Sequence, residues 1–394
     1  MKNITTQPAR KENFFKRDKL INKIYRKLDA GDHIFMAAPR RVGKTSIMRY
    51  LEDHPRESYH FIYLTVESVH EVETFYHKLW DALAESDFYS FFSKASKKTK
   101  NFLNTTLDRI SGIGIPVLGS VIELNPSEKS SYQEEFDDVI KSLKNDKRKL
   151  VFMIDEFPQV VENINARHGK EIATQFLHLC REQRQLSQSN VLFIYTGVTG
   201  LLSVVRRITS PSVINDIVTI EVPPLSKAEA TEMATMILNN YNVGYEVKVI
   251  DYLLEKMEWL IPFHVQLCIQ ELIDIYESEE RNITKADVNK AFDRLLNIRN
   301  NQYFEPYHTR LKEAFPDTKI FDQSIELLNY IVMNEEIGKQ EAMELIGKEL
   351  ENDDYERVME SLQFDGYLKY DEECEVYKFT SRLIKMWWKK FVVK

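Results

Sequence analysis

Ala38-Pro39-Arg40-Arg41-Val42-Gly43-Lys44-Thr45 follows the apolar run Ile34 to Ala37 and leads into a helical pattern from Ser46 to Leu51. Strand, then Gly-Lys-Thr, then helix is the context that phosphate binding needs. A loop of backbone N–H groups wraps the anion, and the helix N-terminus adds its partial positive charge. In that reading residues 38–46 line the phosphates, Lys44 reaches the β- and γ-phosphates, and the Thr45 hydroxyl ligates Mg²⁺. Ala38 stands where the usual pattern begins with glycine, so its backbone must avoid positive φ. By itself the triplet would equally suit a basic turn capping a helix; the flanking strand and helix favour the phosphate loop.

A second stretch, Leu150-Val151-Phe152-Met153-Ile154-Asp155-Glu156, is an apolar run ending in two carboxylates. Carboxylates directly after a buried strand are costly without a cation or hydrogen-bond partners. In open α/β sheets ligands collect at the C-terminal ends of strands. Asp155 is expected to hold the metal shell and Glu156 to polarise an attacking water, although an acidic helix N-cap would use the same pair. Val191 to Gly197 supplies a third strand end. Thr196 either sits beside the attacking water or starts a turn before Gly197.

Arg40, Arg41, Arg184, Arg206 and Arg207 are candidate γ-phosphate contacts or else solvated surface charges. No Asn-Lys-x-Asp motif points to guanine, because Asn289-Lys290 is followed by Asp293, one residue too late; ATP is the expected nucleotide. Phe14-Phe15-Lys16-Arg17, ahead of an amphipathic helix, would cover an adenine or anchor a core. His178 and Cys180, two apart on a helical pattern, point in different directions and make no site.

Bulk properties agree with an ordinary soluble chain. A length of 394 residues implies two or three domains, and 43% hydrophobic residues suffice for large cores. A net charge of -8 argues against a broadly basic, nucleic-acid-binding surface. Cys180, Cys268 and Cys374 are widely separated, which disfavours a disulfide framework or structural zinc and suits a reducing compartment. Met1 to Arg10 has no apolar core and no run is long enough to span a bilayer, so a cytoplasmic location is expected.

Strands are expected at Ile34–Ala37, Phe61–Val66, Leu150–Ile154, Val191–Tyr195 and Ile217–Val222, without strict alternation, as in a parallel sheet buried on both faces. Helical spacings lie between them: Phe75, Leu79 and Leu83; Phe136, Ile140 and, less cleanly, Lys144; Ile172, Phe176 and Leu179. Pro223-Pro224 ends this α/β region. Ser226 with Glu229, and Thr284 with Asp287, read as capping boxes of a helical stretch. Helices marked by Ile325, Leu328 and Ile331, by Ala342, Leu345 and Ile346, and by Val358, Met359 and Leu362 then precede a hairpin, Tyr367–Tyr370 and Glu375–Phe379; Gly366 ends the third. Three helices and a two-stranded wing is the order of a winged helix. The expected domains are therefore 1–222, 223–300 and 301–394.

Taken in order, Phe15 and Arg17, the Ala-Pro-Arg-Arg-Val-Gly-Lys-Thr-Ser loop, Val-Phe-Met-Ile-Asp-Glu-Phe and the Thr196-Gly197 strand end resemble the prokaryotic archaeal-ATPase-like group, in the STAND branch of the AAA+ lineage. The resemblance implies a P-loop ATPase sheet of strand order 5-1-4-3-2, a helical lid and a C-terminal winged helix. It also implies ATP and Mg²⁺ as cofactors, slow hydrolysis coupled to conformational switching, and self-association or a protein partner. Lys16 replaces the usual glycine before Arg17. Of the lid's Gly-x-Pro only Pro262 remains, and a nucleotide-sensing role would fall on His264.

Two surfaces bear on partners. From 349 to 375 there are eleven acidic residues against two bases, Arg357 and Lys369, which would repel a DNA duplex and favours a protein contact or an intramolecular latch. The C-terminal stretch carries Trp387, Trp388 and lysines, which would touch a partner or pack the tryptophans with lysines in water. Lys94, Lys97, Lys98 and Lys100 form a basic cluster ahead of an expected hairpin at 111–124. Besides an ATP-driven switch, two readings stay open: a nucleotide-binding scaffold without turnover, and a DNA-binding regulator.

Overall fold

A computed structural model describes residues 1–88, 132–143, 148–186, 190–197, 200–315, 317–347, 350 and 352–393. The basic cluster at 94–100, the hairpin expected at 111–124, and Lys144, Glu349 and Glu351 lie outside the described residues. The chain divides into two compact units. One comprises Lys16–Ala37 and Lys44–Val222; the other comprises Met1–Phe15, Ala38–Gly43 and Pro223–Lys394.

The first unit is built on five parallel strands: β1 (His33–Ala37), β2 (Tyr59–Thr65), β3 (Lys149–Asp155), β4 (Val191–Thr196) and β5 (Ile217–Glu221). Their order is β2-β3-β4-β1-β5, which read from the other edge is the expected 5-1-4-3-2. Every residue of β4, and of β3 after Lys149, is buried, as near-continuous apolar strands of a covered parallel sheet require. Rings reinforce the register: Phe152 and Phe193 stack with centroids 5.8 Å apart across β3 and β4.

Helices α1 (Asp18–Asp29), α2 (Lys44–Asp53), α3 (Val72–Glu85), α4 (Tyr132–Leu143), α5 (Phe157–Leu186) and α6 (Leu201–Ile208) connect the strands. Phe75, Leu79 and Leu83 are buried on α3, as are Phe136 and Ile140 on α4. On α5 the expected seam is shifted. Ile172 is 36% exposed, while Ala173, Phe176, Leu177 and Cys180 are buried. Gly169, with φ of 84°, kinks α5 ahead of this seam.

In the second unit, α7 (Lys227–Asn240), α8 (Val249–Met257), α9 (Pro262–Glu279) and α10 (Lys285–Leu295) follow Pro223-Pro224. Ser226 Oγ accepts from Glu229 N at 3.2 Å and Glu229 Oε2 accepts from Ser226 N at 2.8 Å, a full capping box at the start of α7. Asp287 Oδ2 accepts from Thr284 N and Oγ1, each at 2.8 Å, at the start of α10. Asn3 of the N-terminal segment donates from Nδ2 to Gln266 O and Gln270 Oε1, both at 3.0 Å, and so lies on α9.

Next come α11 (Glu305–Ala314), α12 (Thr318–Asn334), β6 (Glu336–Gly338), α13 (Lys339–Ile346), α14 (Asn352–Phe364), β7 (Leu368–Asp371), β8 (Val376–Phe379) and α15 (Arg382–Phe391). The expected hairpin is present as β7 and β8. It gains a third strand, β6, giving an antiparallel sheet of order β6-β8-β7. Three residues, too short for a periodic signal, leave β6 invisible to pattern reading. On α15 Trp387 and Trp388 are buried and donate from Nε1 to Asn301 Oδ1 at 2.7 Å and Asn329 Oδ1 at 2.9 Å.

Candidate functional site

In the first unit, the C-terminal ends of β3 and β4 and the first turn of α2 meet at one carboxylate. Thr45 Oγ1 donates to Asp155 Oδ2 at 2.9 Å, although 110 residues separate them. Thr196 Oγ1 donates to Asp155 Oδ1. Tyr63 OH donates to Asp155 Oδ2 at 3.0 Å. Asp155 is only 7% exposed and Thr196 fully buried, so these hydroxyls replace water that the carboxylate would otherwise lose. Lys44, at the start of α2, is also 7% exposed.

Glu156 follows as a turn between β3 and α5, with φ of 63°. Its carbonyl accepts from Gln159 N and Val160 N at 3.1 and 3.4 Å, which begins α5. A glutamate in the left-handed region is uncommon and costs backbone energy.

Tyr63 carried no sequence signal. A tyrosine inside an apolar strand reads as core filler, and only pairing of β2 with β3 brings its hydroxyl to Asp155. Burial, and then the Asp155 charge, raise its pKa above the ordinary phenol value, so the hydroxyl stays a donor.

These oxygens suit a hard cation. Asp155 can accept from a metal's waters, and the Thr45 oxygen keeps a lone pair while its proton is donated to Asp155. Among the described residues no cluster of three or more His, Cys, Asp or Glu could hold a metal unaided.

The loop residues Ala38–Gly43 belong to the second unit. Gly43 has φ of 98°, a conformation that an L side chain rarely adopts, and nothing lies within 4 Å of an added Cβ. Ala38 is not among the residues with positive φ, so alanine sits there without the strain that would demand glycine. Arg41, at φ 64°, lays its guanidinium over the Phe263 ring, 3.9 Å from the centroid. Gly366, after α14, has φ of 79°, and a Cβ there would lie 2.3 Å from Trp259 and 3.1 Å from Pro39.

His264 is fully buried, ringed by Trp259, Phe263, Phe304 and Tyr307, with neither ring nitrogen hydrogen-bonded among the described residues. Burial, then the Arg41 charge, push its pKa down to about 3, so it is neutral at physiological pH. Two of the other candidate arginines, Arg184 and Arg207, are engaged elsewhere. Arg184, expected to be solvated if not at a phosphate, is buried. It donates from Nε and Nη2 to both Asp216 oxygens at 2.8 and 2.9 Å. Arg207 pairs with Glu162. His178 is exposed and Cys180 buried, so they face apart as their spacing predicts.

The parallel sheet order and the strand–loop–helix that carries Lys44 and Thr45 are those of a P-loop NTPase fold. Among solved structures the chain is similar to a Walker-type ATPase of Pyrococcus abyssi, with a TM-score of 0.66, 18% identity, and 98% of this chain and 99% of that one covered. The ORC2 protein of Aeropyrum pernix, in its ADPNP–ADP complexes, is a looser likeness with a TM-score of 0.49, 12% identity and coverage of 94% and 91%; it carries no further weight. No protein-family model matches the chain, and neither does any curated protein. Among the described residues no helix is long and apolar enough to cross a membrane.

Proposed function

We propose that the chain binds ATP with Mg²⁺ and hydrolyses it slowly as a nucleotide-controlled switch of the STAND type within the AAA+ lineage. The observation that carries this reading is the Thr45–Asp155 hydrogen bond at 2.9 Å, which joins the phosphate-loop helix to the acidic strand end. Residues 38–46 would line the phosphates, with Lys44 on the β- and γ-phosphates. Thr45 and Asp155 would hold Mg²⁺. The ion would neutralise charge on the phosphate oxygens. Glu156 would take the proton of the attacking water, and Thr196 would orient that water or hold Asp155 in place.

A switch is supported inside the second unit, where the loop residues touch the region beyond Pro223: Arg41 on Phe263, and Pro39 against the Gly366 turn. A nucleotide that reorders the loop must then disturb residues 223–394. That region would comprise a helical lid, 223–300, and a winged helix, 301–394, whose helix–strand–helix–helix–wing order matches the observed elements. Its acid excess suits a protein partner or self-association better than DNA. A cytoplasmic setting suits the three free cysteines.

Steady-state phosphate release decides the matter. It should require Mg²⁺ and fall at least tenfold in Lys44→Ala and Glu156→Gln. Equal release in both variants and wild type would remove the hydrolase claim. ATP-induced thermal stabilisation with no turnover would identify the scaffold reading instead. Salt-sensitive duplex binding that survives Lys44→Ala would identify the DNA-binding regulator. Size-exclusion chromatography with and without ATP and Mg²⁺ tests self-association.

A further inference from the structure

We infer that Tyr63 is a positioning residue for the Mg²⁺–ATP site, aimed by Arg49 and Glu52 of the same helix that begins with Lys44 and Thr45. The inference rests on the nucleotide reading above and adds to it a residue that no motif contains. Tyr63 OH donates to Asp155 Oδ2, the same oxygen that receives Thr45 Oγ1. With Thr196 on Oδ1, the carboxylate is gripped on both oxygens and its plane is set.

Tyr63 is itself held from α2. The Arg49 guanidinium carbon lies 3.6 Å from the Tyr63 ring centroid. Arg49 Nη1 pairs with Glu52 Oε2 at 2.8 Å, and Glu52 Oε1 accepts from Tyr63 N at 3.4 Å. The circuit therefore runs from the ring to Arg49, to Glu52 and back to the Tyr63 backbone on β2, an edge strand among the described residues. Core packing alone does not account for it. Phenylalanine would fill the same space and accept the same cation on its face, whereas the hydroxyl goes to a carboxylate that is 7% exposed. Partners that orient a metal-binding carboxylate affect metal affinity even though they never touch the metal.

Tyr63→Phe isolates the hydroxyl and leaves the ring and its Arg49 contact. Equilibrium ATP binding, by calorimetry with Mg²⁺ and separately with EDTA, is the primary readout. The Mg²⁺ concentration at half-maximal phosphate release is the second. We expect the variant to lose about tenfold or more in Mg²⁺-dependent ATP affinity and to shift the Mg²⁺ midpoint upward by a similar factor. Binding in EDTA should be unchanged. Arg49→Met, which removes the cation from the ring face, should move the midpoint in the same direction by a smaller factor.

An Mg²⁺ midpoint equal to wild type in both variants overturns the inference and leaves the nucleotide reading standing. So does an equal loss of affinity with Mg²⁺ and with EDTA, which would mark Tyr63 as a packing residue. If the wild-type protein binds ATP no better with Mg²⁺ than with EDTA, the nucleotide reading fails, and the role of Tyr63 fails with it.

Discussion

Thr45 Oγ1 and Asp155 Oδ2 lie 2.9 Å apart, and this hydrogen bond joins the two sequence motifs into one site. Neither motif alone separates phosphate chemistry from helix capping. A basic turn can cap a helix and an acidic pair can start one. Bonded to each other at the ends of neighbouring elements, they favour the nucleotide reading proposed above.

Thr196→Val should be costly although it preserves shape. The hydroxyl is fully buried and donates to Asp155, so its loss leaves one carboxylate oxygen short of a donor. A destabilisation of about 1–3 kcal/mol is expected in chemical denaturation. Phosphate release should fall together with it. Wild-type stability in the variant would mean that the side chain does not hold Asp155.

Gly366→Ala should destabilise the unit that contains it. The residue has φ of 79°, and a methyl group would sit 2.3 Å from the Trp259 ring, which is 9% exposed and has little room to move. Strain and overpacking add, so about 2 kcal/mol or more is expected as a lowered melting temperature. A variant as stable as wild type would show that this turn relaxes freely.

Arg184→Met removes one partner of a buried pair. Asp216, one-quarter exposed in its side chain, loses both of its guanidinium hydrogen bonds, and Val213 O loses a donor at 2.7 Å. The expected loss is about 3 kcal/mol in urea unfolding. Phosphate release per folded molecule should stay near wild type, because Arg184 is committed to Asp216. Loss of release in a fully folded variant would return Arg184 to the γ-phosphate candidates.

Acid should weaken the start of α10. Hydrogen bonds from Arg281, at 2.7 and 2.8 Å, and from Thr284 hold the Asp287 carboxyl below its ordinary pKa. The ionised form therefore favours folding at pH above the unfolded value near ~3.9. That contribution fades as pH falls through the depressed folded value. Arg281→Gln should lower the melting temperature at neutral pH, and the gap from wild type should narrow steadily as the pH falls below the unfolded carboxylate value. A gap that persists unchanged in acid would show that the arginine acts through packing alone.

How much was legible depends on whether the physics is local. Apolar strands buried on both faces announce themselves by composition, and β1 to β5 lie where the sequence places them to within about two residues. Ser226 with Glu229 is equally local, since three residues contain the whole capping box. The seam of α5 differs from the expected one by a single position, Ala173 being buried and Ile172 36% exposed, because adjacent apolar residues admit more than one face by spacing alone. Strand β6 escaped because its three residues become a strand only when β8 lies alongside.

The chemistry divides in the same way. Gly43, Lys44, Thr45, Asp155 and Glu156 are marked by their own order along the chain, because a phosphate loop and a strand end are each built from contiguous residues. Tyr63 joins Asp155, Arg184 turns inward to Asp216, and Arg41 lies on Phe263 only through the tertiary structure. Each of these contacts joins residues remote in sequence, and no local spacing encodes a partner that arrives through the pairing of strands or the packing of helices.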